Sequence, residues 1–469
     1  MSDCAYRSTE GLRCQFTGSP APFREVYHHF CHFHLPLRYK DGTPSPKLTG
    51  RDGWGLGGPE WGVFEKGIIE RLRDARENVN LAIRQFGANF EGVEFPPDFA
   101  FTGAAGIICA NFTNTKFGDK ISFSDATFGR HADFTNAAFG TRACFERVKF
   151  KAGVWFANSK FGTQANFKGA IFESPPDPMG SPYRYDADFT AATFGDGADF
   201  SDARFIKQAY FRRAIFRLMI NFNNAKFHED ADFSTDLTGN TDLDIRNISF
   251  NNAHFNGLSS FENRKFSGSA SFNDAIFNNL VNFHGCTFHQ GMSFRGAQFN
   301  KTRGKDKDEG EALERSYRTL KLGMEELRAR NEEAIFFAHE MECRRQRGDV
   351  PWIERFAATM YKHMSDYGRA MDLPLISLLV LTYVSYFLYL AIAIVTCEPG
   401  AIARLLFTIE QIFRPFFIWA TPKTDVPCSL VLKSPLPHPI PRLAAIAGNH
   451  RSAHPVPARP AAAGEDGLR

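Results

Sequence analysis

The sequence predicts an all-β solenoid followed by a long α-helix and a transmembrane helix. Three observations carry that expectation. Phe recurs every eleven residues in two interleaved series between 90 and 299. An apolar seam at steps of four and three runs from Leu313 to Met341. A run of 23 residues, Leu373 to Val395, carries no charge. The first observation accounts for a lopsided composition: 49 of 469 residues are Phe, against 5 Trp and 12 Tyr. One residue type used that heavily points to a repeat before anything else.

One series occupies 90, 101, 112 and so on to 167, resumes two periods later at 189 and runs to 233. The other, offset by five, occupies 95 and 117 to 172, then 194 to 227. Pro-rich residues 174–182 fill the skipped unit and read as a bulged corner loop. Phase slips once, between Phe233 and Phe250, near Leu243; both series then continue to 294 and 299. Two residues before each Phe usually stands a small or apolar residue, often Ala, and between them often Asp or Asn, as in Ala132-Asp133-Phe134. An i, i+2 pair facing inward with one residue facing outward is a short strand. Its return after five or six residues is too soon for an intervening helix and too regular for hairpins. A period near 5.5 also fails to match the 3.6 of an amphipathic helix. Stacked coils that bury a shared column satisfy the pattern.

Ala132-Asp133-Phe134, Ala187-Asp188-Phe189, Ala198-Asp199-Phe200 and Ala231-Asp232-Phe233 resemble the repeats of the pentapeptide-repeat family. The resemblance covers about 86–300 and implies a right-handed quadrilateral β-helix, with Phe and the preceding small residue inward. Spacings that alternate between five and six depart from the family's plain five, so each coil should take about 22 residues rather than 20. At about 4.8 Å per coil this predicts nine or ten coils and a rod about 45 Å long. The outward positions carry mixed charge. A basic run at Arg204, Lys207, Arg212, Arg213 and Arg217 adjoins Asp196, Asp199 and Asp202, and reads as solvated surface.

Ahead of the repeats, residues 1–40 hold Cys4, Cys14, Cys31 and His34 in a segment with little apolar core. Three thiolates and an imidazole make a candidate tetrahedral zinc site whose metal would supply folding energy. Reduced, unliganded cysteines are the alternative; His28, His29 and His32 are alternative ligands. The segment, with Phe33-His34-Leu35-Pro36-Leu37, resembles short Cys/His modules that precede some bacterial pentapeptide-repeat proteins. Residues 41–85 read as a Gly- and Pro-rich linker followed by a helix over part of 63–85 that caps the first coil.

Residues 301–372 form a charged linker and a helical region. The seam Leu313, Tyr317, Leu320, Met324, Leu327, Asn331, Ala334, Ala338 and Met341 predicts one helix of about 35 residues, Asn331 being its single polar seam residue. The helix over 311–345 would either self-associate into a homo-oligomer or fold back on the solenoid. Tyr317 through Ala334, His339 to Glu342 and Tyr367-Gly368-Arg369 resemble the helical region of membrane-bound pentapeptide-repeat proteins. Residues 373–395 are long enough for a hydrocarbon core of about 30 Å. Arg355, Lys362 and Arg369 before them place the repeats on the cytoplasmic side of a cytoplasmic or inner membrane. No secretory signal is visible in the first thirty residues, which agrees. Residues 401–420 contain Arg404, Glu410, Arg414 and Pro415 and read as interfacial, re-entrant or a second span. Residues 427–469 read as a Pro/Ala-rich disordered tail.

No Gly-rich phosphate loop, Gly-x-Ser-x-Gly elbow or His-Glu-x-x-His stands in the chain, so no enzyme is expected. The expected function is a membrane-anchored scaffold binding a protein partner on the solenoid faces and the lipid bilayer through its span. The resemblance also implies two alternatives: a subunit of a two-helix, ion-channel-like or mechanosensory protein, and a DNA-mimicking topoisomerase binder. With 55 basic and 52 acidic residues, net +3, no specific nucleic-acid partner is expected.

Overall fold

The computed structural model describes residues 33–39, 41–45, 66–72, 88–101, 105–107, 110–129, 131–173, 186–236, 243–301, 304, 306–370 and 372–396. Two units divide the chain, 1–380 and 381–469. The second is described only over 381–396, the end of a helix. The candidate ligands Cys4, Cys14 and Cys31, the loop 174–182, the segment 401–420 and the tail 427–469 lie outside the described residues.

Every strand from Ala88 to Phe299 is two or three residues long and pairs in parallel with the strand one coil away. They stack into four sheets, of nine, six, nine and five strands. Isolated bridges from Ala100 through Ser122, Cys144 and Asn166 to Asp199 extend the smallest sheet, and Ile245↔Phe266 and Lys265↔Thr287 extend the six-stranded one. The solenoid therefore has four sides. Its register repeats at 22 residues, the separation at which Asn111 donates its side-chain amide to Asn89 and at which Ala88 pairs with Ala110. Eight steps between nine strands give a rod about 38 Å long.

One coil shows how the sequence dictates this. Ala132-Asp133 forms the first side, Ala138-Phe139 the second, Cys144 the third and Lys149-Phe150 the fourth. The steps Phe134 to Phe139 and Phe145 to Phe150 are five residues; the steps that follow each are six. The sixth residue thus sits at alternate corners, next to Gly140 and Gly153, and is not a strand bulge. Asn136, Arg142 and Arg147 turn three corners in the left-handed region, with φ of 57°, 58° and 52°. Asn and Asp populate many equivalent corners because they tolerate that conformation best among residues with a side chain.

The intervening Asp or Asn has a second task. Asp133 Oδ1 accepts the backbone N–H of Thr135 at 2.8 Å, and Asp188, Asp199 and Asp232 do the same for Thr190, Ser201 and Ser234. Each carboxylate closes a turn two residues on, so the motif encodes both a strand and its corner.

Inside, each eleven-residue series splits between opposite sides, giving four columns of rings. Neighbours in a column stack nearly parallel, for example Phe145 on Phe167 at 4.7 Å and 1°. Rings of different columns meet edge to face, for example Phe139 and Phe145 of adjacent columns at 5.4 Å and 76°, and Phe134 and Phe145 of opposite columns at 6.0 Å and 90°. Both are favoured arrangements for aromatic quadrupoles. The glycines after the second-side Phe form a column as well. A Cβ on Gly162 would come within 2.7 Å of the Gly140 carbonyl group, and one on Gly195 equally close to that of Gly162. Backbone packs on backbone at this corner.

The column on the second side is interrupted where the phase slips and resumes with Phe266 stacked on Phe288. The step from coil to coil there lengthens to 28 residues: Leu258 N–H donates to Asp230, and Ala231 pairs with Ser259. Arg264, at a position filled on regular coils by Val93, Thr115, Ser159 or Ala, enters the core fully buried. Its guanidinium lies 5.8 Å from the Phe216 ring centre and donates to the carbonyls of Phe233, Ala214 (3.0 Å), Leu243 (3.2 Å) and Phe211 (3.1 Å). Burial pulls its pKa down to about 10, so it stays charged at neutral pH.

Both ends are covered. Phe33, Leu35 and Tyr39, with Ile68 of α1 (66–72), join the core beneath the first coil. At the other end the single helix of about 35 residues is corrected to a hairpin of α2 (Lys307–Glu326) and α3 (Arg330–Gln346). Arg328, at φ 58°, breaks it. The seam from Leu313 to Met324 is buried against the last coils, and Gly323 lets Phe288 approach the helix. Asn331 is exposed and is not a seam residue. A 4-3 seam is common to a long helix and to a hairpin whose halves bury the same side, so periodicity alone does not separate them.

Two helices follow, α4 (Trp352–Ser365) and α5 (Asp372–Thr396). Among the described residues no helix is long and apolar enough to cross a membrane.

Candidate functional site

The inward positions are filled, so any recognition by the rod falls on its outward side chains. On the first side the residues between Ala and Phe run Asp133, Trp155, Asp188, Tyr210, Asp232 along adjacent coils. Trp155 and Tyr210 are half-buried and two coils, about 10 Å, apart. His131 stacks on Trp155 at 5.2 Å, and Tyr210 donates its hydroxyl to Gln208. Trp and Tyr held rigidly in place are among the side chains that dominate binding energy at protein interfaces.

The fourth side is different. Lys149, Ile171, Arg204, Lys226 and His254 follow one another in strand register. Beside them burial, and then the charges of Arg204 and Lys226, push the His228 pKa down. The outward charges are therefore sorted by side, which the sequence reading as mixed solvated surface did not resolve. Strand register sorts them, because residues one coil apart share a side.

The repeats of the later coils match the family described as pentapeptide repeats (9 copies), over residues 186–235 and 250–300. Those coils are pentapeptide repeats. No curated protein and no solved structure matches the chain. Pentapeptide-repeat solenoids are in general structural or interaction modules rather than enzymes. Residues 88–173, outside the matched segments, share the same coil-to-coil register and the same Phe columns.

Of the candidate zinc ligands only His34 is described. It is buried in the N-terminal cap, its Nε2 donating to the Glu91 carbonyl at 3.1 Å. Among the described residues no group of three or more His, Cys, Asp or Glu is placed to hold a metal ion. Cys286 and Cys343 are buried free thiols. Burial pushes the Cys286 pKa up to about 12, and its Sγ–H donates to the Phe261 carbonyl at 3.0 Å. It is unreactive core.

Beyond the pentapeptide-repeat rod lies a carboxylate network that the sequence did not announce. Glu314 accepts from Arg318 at 2.6 Å and Arg347 at 2.7 Å; Glu340 accepts from Arg318 at 2.8 Å and Lys321 at 2.7 Å. Glu342 accepts from Arg345, Gln346, Lys362 of α4 (3.2 Å) and the Tyr367 hydroxyl (2.9 Å). Burial raises the Glu342 pKa, but these donors outweigh it and bring it from 4.5 to about 2. A carboxyl whose folded pKa lies below its unfolded one stabilises fully above the unfolded value and loses that contribution as pH falls through the folded one. We expect α4 to loosen from α3 between about pH 4.5 and 2. Protection of the α4 amides from hydrogen exchange should fall across that window, and Glu342→Gln should flatten the response; equal slopes in both proteins would refute the assignment. His339, beside this network, stacks on Tyr317 at 5.0 Å; burial, then the Arg369 charge, lower its pKa to about 4. It is a neutral packing residue.

Proposed function

We propose that this chain is a membrane-anchored scaffold whose pentapeptide-repeat rod docks a protein partner on its first side. The observation that carries the docking surface is the row Asp133, Trp155, Asp188, Tyr210, Asp232, rigidly spaced on a filled core. The anchor is supported by the uncharged run 373–395, and by the exposure of Leu375, Leu379, Tyr383 and Phe387 on the described part of α5. Arg355, Lys362 and Arg369 argue for repeats on the cytoplasmic side. The basic fourth side gives no support to a DNA mimic.

The full chain should sediment with membranes, and deletion of 373–395 should release it. A full chain that stays wholly soluble would overturn the anchor. Partner capture by the full chain should be lost in the Trp155→Ala, Tyr210→Ala double variant with the rod still folded. Undiminished capture would move the docking surface to another side.

A further inference from the structure

We infer that α4 lies on the membrane surface, its apolar stripe sunk into an anionic phospholipid leaflet at the headgroup boundary. This rests on the anchored reading above and adds a second, peripheral contact to it. Trp352, Ile353, Phe356, Met360 and Met364 are all exposed, Trp352 at 69%. At 100° per residue they fall within an arc of about 120°. The opposite side of α4 is held to α3: Ala358 is buried, Glu354 accepts from Arg344 at 2.9 Å, and Lys362 donates to Glu342 at 3.2 Å. The stripe therefore cannot turn inward without breaking those pairs.

What covers it follows from the chain that leaves it. Asp366, Tyr367 and Gly368 turn in the left-handed region, φ 46°, 57° and 87°, fastened by the Tyr367 hydroxyl on Glu342. The uncharged run begins at Leu373, nine residues after the stripe ends at Met364, so the stripe lies close in the chain to the segment that needs a hydrocarbon environment. Arg355 and Arg369 supply positive charge beside the stripe for anionic headgroups. A second copy is a poorer occupant. The stripe is about 21 Å by 10 Å, on the order of 200 Å², well under the ~800 Å² per partner of a stable interface.

The test uses the full chain in vesicles of phosphatidylglycerol and phosphatidylethanolamine brominated near the headgroup end of the acyl chain. Comparison with Trp352→Phe isolates the Trp352 fluorescence, which the bromolipid should quench. Phe356→Asp with Met360→Asp should abolish that quenching while the chain still floats with the vesicles. A chain that floats with Trp352 unquenched overturns the inference and leaves the anchor standing. One that does not float at all overturns both. Crosslinking of α4 to a second copy, with Trp352 dark to the bromolipid, assigns the stripe to self-association and overturns the lipid contact.

Discussion

Arg264→Ala should destabilise the solenoid by about 5 kcal/mol, combining a core cavity with lost hydrogen bonds to carbonyls. The Phe211 carbonyl keeps the Ala214 N–H at 3.0 Å, but among the described residues the Ala214 carbonyl lacks the backbone donor of a regular coil, where the Ala192 carbonyl accepts from Ile215 N–H at 2.9 Å. On the next coil the corresponding Ala214 carbonyl is met by Arg264. The side chain thus replaces both a missing ring, by lying over Phe216, and missing backbone donors. A Met at this position fills the volume without donating, so Arg264→Met should cost less than Ala yet remain well below wild type. Urea unfolding followed by circular dichroism measures all three. If Arg264→Met matches wild type, the guanidinium contributes volume alone; if Arg264→Ala costs under about 1 kcal/mol, the staple does not exist.

Phe200→Ala should cost about 3–5 kcal/mol. Its ring is fully buried, stacked between Phe167 at 4.5 Å and Phe222 at 4.9 Å, with Phe189, Phe194 and Phe211 at its edges. Stacked columns leave no loose side chain to collapse into the hole, which places the cost toward the upper end. Because each coil contacts only its neighbours, the damage should be local. Amides of the same and the next coil, such as Asp199 and Asn221, should lose exchange protection before those near Phe95. Uniform loss along the whole rod would instead mean that the solenoid melts as one unit.

The inward Phe and Ala were legible because every coil repeats the same burial problem. Corner glycines and turn-closing carboxylates were present in the sequence as Phe-Gly and Ala-Asp-Phe, but their tasks depend on contacts with the next coil or on a turn just downstream. Arg264 was hidden for a different reason. Its role exists only because an insertion displaced a ring on a neighbouring coil, and no local pattern marks that. The hairpin break at Arg328 was equally silent, since the seam continues through it. For the candidate docking surface, Trp155 and Tyr210 are distant in the chain and become neighbours only through strand register, by way of Asp188.

The corners also determine how this chain can change length. Most coils advance as Ala88↔Ala110 does, yet those ending at Val154↔Ala187 and Ala231↔Ser259 take in extra chain with strands above and below still in register. The flanking strands keep their register despite the extra chain, and the cost of closing a longer loop grows only slowly with its length. One residue gained within a strand would instead rotate Phe outward. The rod behaves like text with fixed words and adjustable spacing: corners accept insertions, and with them new loops or whole grafted domains, while among the described strand pairs the register shifts only once, between Ala105 and Ile107.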